Sequence, residues 1–179
     1  MTLTHDEAAA ALFLDDDHRR ALAENPEVCA FPDVCITLAQ DPNAWVCSSL
    51  ANNRRFGEAE EAAVILAGNV TYHTLLAFNR SLFKMPDVAM HLAIHGDGAV
   101  RFAVAQNWSV VRQLPEVYEV LIKDVYGSVG REARKTHALE EEPTRASTKG
   151  FVEMPLYDTL LRGVGSTTIP ATQLFRGTR

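Results

Sequence analysis

The chain has 179 residues, enough for one domain with a tail, and 47 % of them are apolar against 22 % charged, which excludes wholesale disorder. With 17 Lys/Arg against 23 Asp/Glu the formal charge is −6, so free nucleic acid and anionic membranes are disfavoured as default partners. The charge is uneven: residues 1–122 hold 8 basic against 16 acidic side chains, and residues 123–179 hold 9 against 7.

The opening "HDEAAAALFL" (5–14) is helical by composition and reads as an end cap. No basic region precedes its short apolar run, so no secretory leader is expected there, and no apolar run is long enough to span a bilayer. Cys29, Cys35 and Cys47 are odd in number and lack Cys-x-x-Cys spacing, which points to reduced thiols and a cytoplasmic location, and Cys35 and Cys47 sit at repeat positions filled elsewhere by small or apolar residues, which favours core packing for those two.

From residue 20 onward a pattern recurs. "RALAEN", "SSLANN", "TLLAFN" and "FAVAQN" close on Asn25, Asn53, Asn79 and Asn107, separated by 28, 26 and 28 residues. Between them lie "PDVCITLA", "EEAAVILA", "PDVAMHLA" and "PEVYEVLI", whose first residues are separated by 28, 26 and 29. Two landmarks drifting together mark a true internal repeat. Phe31, Val34, Cys35, Leu38 and Ala39 fall on one helical face. Pro32, Pro86 and Pro115 suit first helical turns, where the missing N–H costs nothing. Asp33, Asp87 and Glu116 follow, on the positive end of the helix dipole. Asp41, Asn69 and Asp97 are expected to cap the second helix of each unit, and Leu22, Leu50, Leu76 and Val104 point its apolar face inward.

The expected architecture is all-α: a right-handed α-solenoid of about four two-helix repeats of 26–29 residues, with caps, over residues 1–137. Each repeat asparagine is expected to end its helix in the left-handed region while its amide bonds the following loop. A fifth second helix, "SVGREARKTH" (128–137), keeps little of the pattern and suits a cap. Residues 138–179 are expected to be a linker and tail carrying one amphipathic segment at 155–164, with Leu156, Leu160 and Leu161 on one side.

"LAQDPNAWVCSSLANN" and "DGAVRFAVAQN" resemble the leucine-rich repeat variant, an all-helical repeat, and a HEAT-like repeat is the near alternative. The resemblance covers about residues 15–124. It implies a scaffold with a binding surface and no shared reaction. Arg19 and Arg101 match the family's arginine position, while Cys47 and His73 depart from it. The amino-terminal cysteine cluster that holds an iron–sulfur centre in one kind of family member has no counterpart here.

Candidate chemistry is sparse. His91 and His95 are spaced i, i+4 as two metal ligands would be, but Leu92 stands where a metalloprotease needs Glu, and no third ligand is evident, so surface and turn roles are expected. No nucleophile elbow or phosphate loop occurs, and a glycosylase-like cleft using Trp45, Trp108, Asp41 and Asp97 has no spacing to select it. No enzyme, cofactor or metal is expected. The residues after each asparagine, Pro26, Arg54, Arg80 and Trp108, extended by Arg55 and Lys84, form the expected partner-binding edge. The expected function is a non-enzymatic scaffold that binds another protein. The alternative is nucleic-acid binding on a basic ridge of Arg19, Arg54, Arg55, Arg80, Arg101 and Arg112, which the net charge disfavours.

Overall fold

The computed structural model describes residues 2–139. Among them the chain is all-α, with eleven α-helices, four shorter 3-10 turns and no strand. The expected tail and its amphipathic segment at 155–164 lie outside the described residues. No helix among the described residues is long and apolar enough to cross a membrane.

Each unit has three elements rather than the two expected. First helices are α3 (Pro32–Ala39), α5 (Glu60–Ala67), α7 (Pro86–His95) and α10 (Pro115–Leu121). Second helices are α2 (Asp16–Glu24), α4 (Ala44–Ala51), α6 (His73–Phe78), α8 (Gly98–Gln106) and α11 (Gly127–His137). After each repeat asparagine comes a third element: the 3-10 turns Pro26–Ala30, Phe56–Glu58 and Arg80–Lys84, then the short helix α9 (Trp108–Gln113). These four stretches are ordered turns of helix where loop is expected from the sequence. Helix α1 (His5–Ala11), closed by a Thr4–Glu7 capping box, packs on α2.

Like elements lie against like elements of the adjoining unit. First helices pair as α3–α5, α5–α7 and α7–α10, and second helices as α2–α4, α4–α6, α6–α8 and α8–α11. The third elements touch in the same order, from Pro26–Ala30 through to α9. The core follows these three rows. Leu38, Leu66, Leu92 and Leu121 are buried from the first, and Leu22, Leu50, Leu76 and Val104 from the second. Val28, Phe56, Leu82 and Val110, each three residues after a repeat asparagine, are fully buried from the third. All three cysteines are buried and free. Pro32, Pro86 and Pro115 do open first helices, whose N-cap residues make no side-chain bond.

The asparagines do more than end a helix. Asn53 Nδ2 donates to Ala23 O and Asn25 O, both at 2.9 Å. Asn79 Nδ2 donates to Ala51 O at 2.7 Å and Asn53 O at 2.9 Å, and Asn107 Nδ2 to Ala77 O at 2.9 Å and Asn79 O at 2.8 Å. Each Oδ1 meanwhile accepts from the turn that follows, from Arg55 N at 3.0 Å, Ser81 N at 2.9 Å and Val110 N at 3.4 Å. Asn25 opens the series with its acceptor bond alone, from Glu27 N at 2.9 Å. One buried amide thus ties three backbone groups across two units, so its loss strands several polar groups at once. The left-handed expectation is corrected: Asn25, Asn79 and Asn107 are extended, at φ −71°, −68° and −74°. An extended residue stops the helix and turns the side chain back toward the preceding unit.

A second set of bonds closes the other end of each second helix. The carbonyls at the end of a preceding helix lack intrahelical partners. Arg101 Nη1 reaches Gly96 O, the C-cap of α7, at 2.7 Å, and Arg19 Nη1 reaches Leu14 O, in the loop after α1, at 2.7 Å. Where arginine is replaced, the work continues. His73 Nε2 bonds Ala67 O at 2.7 Å, and Cys47 Sγ lies 3.4–3.5 Å from Leu38 O, Ala39 O and Asp41 O. Burial pushes the Cys47 thiol up, which keeps its S–H as a donor. In α11 the corresponding position is Gly130, and Arg134 fills the space, with Nη2 donating to Ile122 O at 3.1 Å.

The arginines add a link between units. Arg19 Nε lies 2.6 Å from Asp41, and Arg101 Nε 2.5 Å from Asp124, both aspartates being nearly buried. At Cys47 and His73 this charged link is absent. The expected caps are corrected accordingly: α4 is capped by Asn43, while Asp41 accepts from Arg19 and from Asn43 N. Asp97 caps α8 as expected, and Asn69 caps a 3-10 turn, Val70–Tyr72, that leads into α6.

Candidate functional site

The third elements form the row that the sequence singled out. The residue three after each asparagine is drawn into the core, and the residue directly after the asparagine is less buried in every unit. Arg54 and Arg80 are exposed and Trp108 is half-buried, at the same step of successive units. Pro26 occupies that step in the first unit.

The row is held close. Gly57 N donates to Ser81 Oγ at 2.9 Å, and a side chain at Gly57 would come within 2.5 Å of Ser81 O. Only glycine allows this backbone approach between adjacent turns. Glu58 bridges the same two units, with Arg55 Nη2 at 2.6 Å and Lys84 Nζ at 3.4 Å. The Arg55 guanidinium holds the Glu58 carboxyl below its ordinary range against the opposing effect of burial. Arg112 lies 5.7 Å over the Trp108 ring, and its Nη1 donates to His137 O at 2.9 Å and Leu139 O at 2.7 Å. Trp108 Nε1 is buried without a hydrogen-bond partner.

The row's charge contrasts with that of the first helices. Their first turns present Asp33, Glu60, Glu61, Asp87 and Glu116, all exposed and acidic. Of the six arginines in the nucleic-acid alternative, Arg19 and Arg101 are folded onto aspartates and helix ends of the second-helix row. Arg54, Arg55, Arg80 and Arg112 remain on the third-element row.

The histidines fall together but differ from the expected placement. His95 is the last residue of α7, not a turn residue. His91 packs 5.0 Å from His95 and 5.8 Å from His73, ring centre to ring centre, and His73 is spent on Ala67 O. Burial, then the neighbouring His95 and His73, lowers the His91 pKa. Among the described residues no group of three or more His, Cys, Asp or Glu side chains is arranged to hold a metal ion. The Asp41 carboxylate accepts from Asn43 N and the Asp97 carboxylate from Val100 N.

No family model matches the chain, and neither a curated protein nor a solved structure does.

Proposed function

We propose that the chain is a non-enzymatic scaffold, a right-handed α-solenoid of about four repeats similar to the leucine-rich repeat variant or HEAT-like repeats, which binds another protein on its third-element row. The observation that carries this reading is the placement of Arg54, Arg80 and Trp108 at one step of successive units, the two arginines exposed and the tryptophan half-buried, while Phe56, Leu82 and Val110 are fully buried beneath them. Arginine and tryptophan are the residue types that anchor protein interfaces, and a row fixed by buried amides presents them with little entropy left to lose. Three buried free thiols support a reducing, cytoplasmic setting.

The test is affinity capture with the full chain and with an Arg54→Ala, Arg80→Ala, Trp108→Ala variant. The wild type is expected to retain a protein that the variant loses, with the helical circular dichroism of the two unchanged. A captured protein held equally by both, or none held by either, overturns the reading.

A further inference from the structure

Resting on that reading of the row, we infer that its occupant is an acidic peptide segment in extended conformation, with carboxylates at about every third residue. The cations of this acidic domain are concentrated here. Residues 2–139 hold 12 Lys/Arg and 18 Asp/Glu. Five of those cations, Arg54, Arg55, Arg80, Lys84 and Arg112, belong to the third-element row and the two residues leading into it, against Glu27 and Glu58.

The domain already contains one example of the contact. The Glu58 carboxylate takes Arg55 of its own unit at 2.6 Å and Lys84 of the next at 3.4 Å. A partner carboxylate meets the exposed Arg54 and Arg80 at the same step of adjacent units, and competes with Glu58 for Arg55 and Lys84. Such charge-assisted pairs are stronger than neutral hydrogen bonds, and the arginine member adds directionality.

The spacing follows from the packing. Adjacent turns touch backbone to side chain through Gly57 and Ser81, so the step along the row is that of closely packed helices, about 8–10 Å. An extended chain advances about 3.3 Å per residue, so roughly three residues cover one step. A nucleic-acid strand is the poorer fit. Asp33, Glu60, Glu61, Asp87 and Glu116 follow the third elements closely in sequence and open the first helices, where they oppose a continuous polyanion. Carboxylates set three residues apart leave neutral positions to face them.

Fluorescence anisotropy with the full chain tests this. The probes are a labelled Ser/Thr-rich peptide with Glu at every third position, one of the same composition with its Glu contiguous, one with Gln for Glu, and a single-stranded oligonucleotide. The spaced peptide is expected to bind at least tenfold more tightly than the other three. Arg54→Glu with Arg80→Glu is expected to weaken it at least tenfold with helicity unchanged. Glu58→Gln, which releases Arg55 and Lys84, is expected to tighten it several-fold. Equal affinity for the contiguous peptide, a preference for the oligonucleotide, or no gain from Glu58→Gln overturns the inference. If those results coincide with a captured protein that still depends on Arg54, Arg80 and Trp108, the acidic assignment alone falls. If capture is indifferent to the row, the underlying reading falls with it.

Discussion

Two hydrogen-bonded seams run through the repeat units, and they tolerate change to different degrees. At the seam of Asn53, Asn79 and Asn107 the same residue recurs in each unit, whereas at Arg19, Cys47, His73 and Arg101 three chemistries occupy one position. The asparagine must donate to two carbonyls of the preceding unit and accept from its own following turn. Only a short amide offers two donors and an acceptor at that reach. The other position needs one donor aimed at a helix end in its own unit, which a guanidinium, an imidazole or a thiol can each supply. Identity recurs where a side chain must donate twice and accept once. Variety is tolerated where the bond shared by all four occupants needs a single donor.

Placing glutamine in both seams gives the widest separation. Asn79→Gln, with one methylene too many, is expected to destabilise about as much as Asn79→Ala, by about 4 kcal/mol, because several buried groups lose partners together. Urea unfolding monitored by circular dichroism measures this, and a loss below about 1 kcal/mol removes the asparagine seam as a stabilising feature.

The next effect belongs to the charged link that accompanies arginine. Removing Arg101 as Arg101→Met strands the nearly buried Asp124 and is expected to cost about 3 kcal/mol at neutral pH. Burial pushes the Asp124 pKa up, but the Arg101 guanidinium and the Tyr126 N–H together bring it below its ordinary value of 3.8. The stability it contributes is therefore complete above pH about 4 and is lost as pH falls through the lower folded value. Asp124→Asn should flatten the acid limb of a stability–pH curve below pH about 4, and an unchanged limb assigns the acid sensitivity to other carboxylates.

His73→Gln sharpens the comparison from the tolerant side. It keeps a donor near Ala67 O and is expected to cost about 1 kcal/mol less than His73→Ala, read from the same unfolding curves. Equal losses would show that the imidazole acts by packing alone. The smallest effect is expected at Lys123, whose exposed pair with Glu119 lies apart from both seams. Lys123→Ala should change stability by about 0.5 kcal/mol or less.

Much of the first two rows was legible in the sequence, because most of their helices run to eight residues or more and carry a 3.6-residue period that Val34, Cys35, Leu38 and Ala39 display openly. The third row was not, since turns of three to five residues and the six-residue α9 are too short to show a period. Its signal was present as a different landmark: Val28, Phe56, Leu82 and Val110 repeat at the asparagine spacing. Cys47 and His73 read as departures because a comparison of identities cannot see that thiol, imidazole and guanidinium are all donors. The asparagine period was visible, but the direction of its bonds was not, because a backward reach of 26 to 30 residues is a property of the folded backbone. Of the proposed surface residues, the sequence placed Arg54, Arg80 and Trp108 on one row. It did not show Arg55 and Lys84 sharing Glu58, or Arg112 bound to the end of α11.

The bonds that the asparagines donate all point one way. Asn53, Asn79 and Asn107 each seek carbonyls that lie earlier in the chain, at Ala23 and Asn25, Ala51 and Asn53, and Ala77 and Asn79. A polypeptide leaving the ribosome amino end first therefore exposes every acceptor before the amide that will find it. Assembly can keep pace with translation, each newly emerged segment docking onto a template already in place.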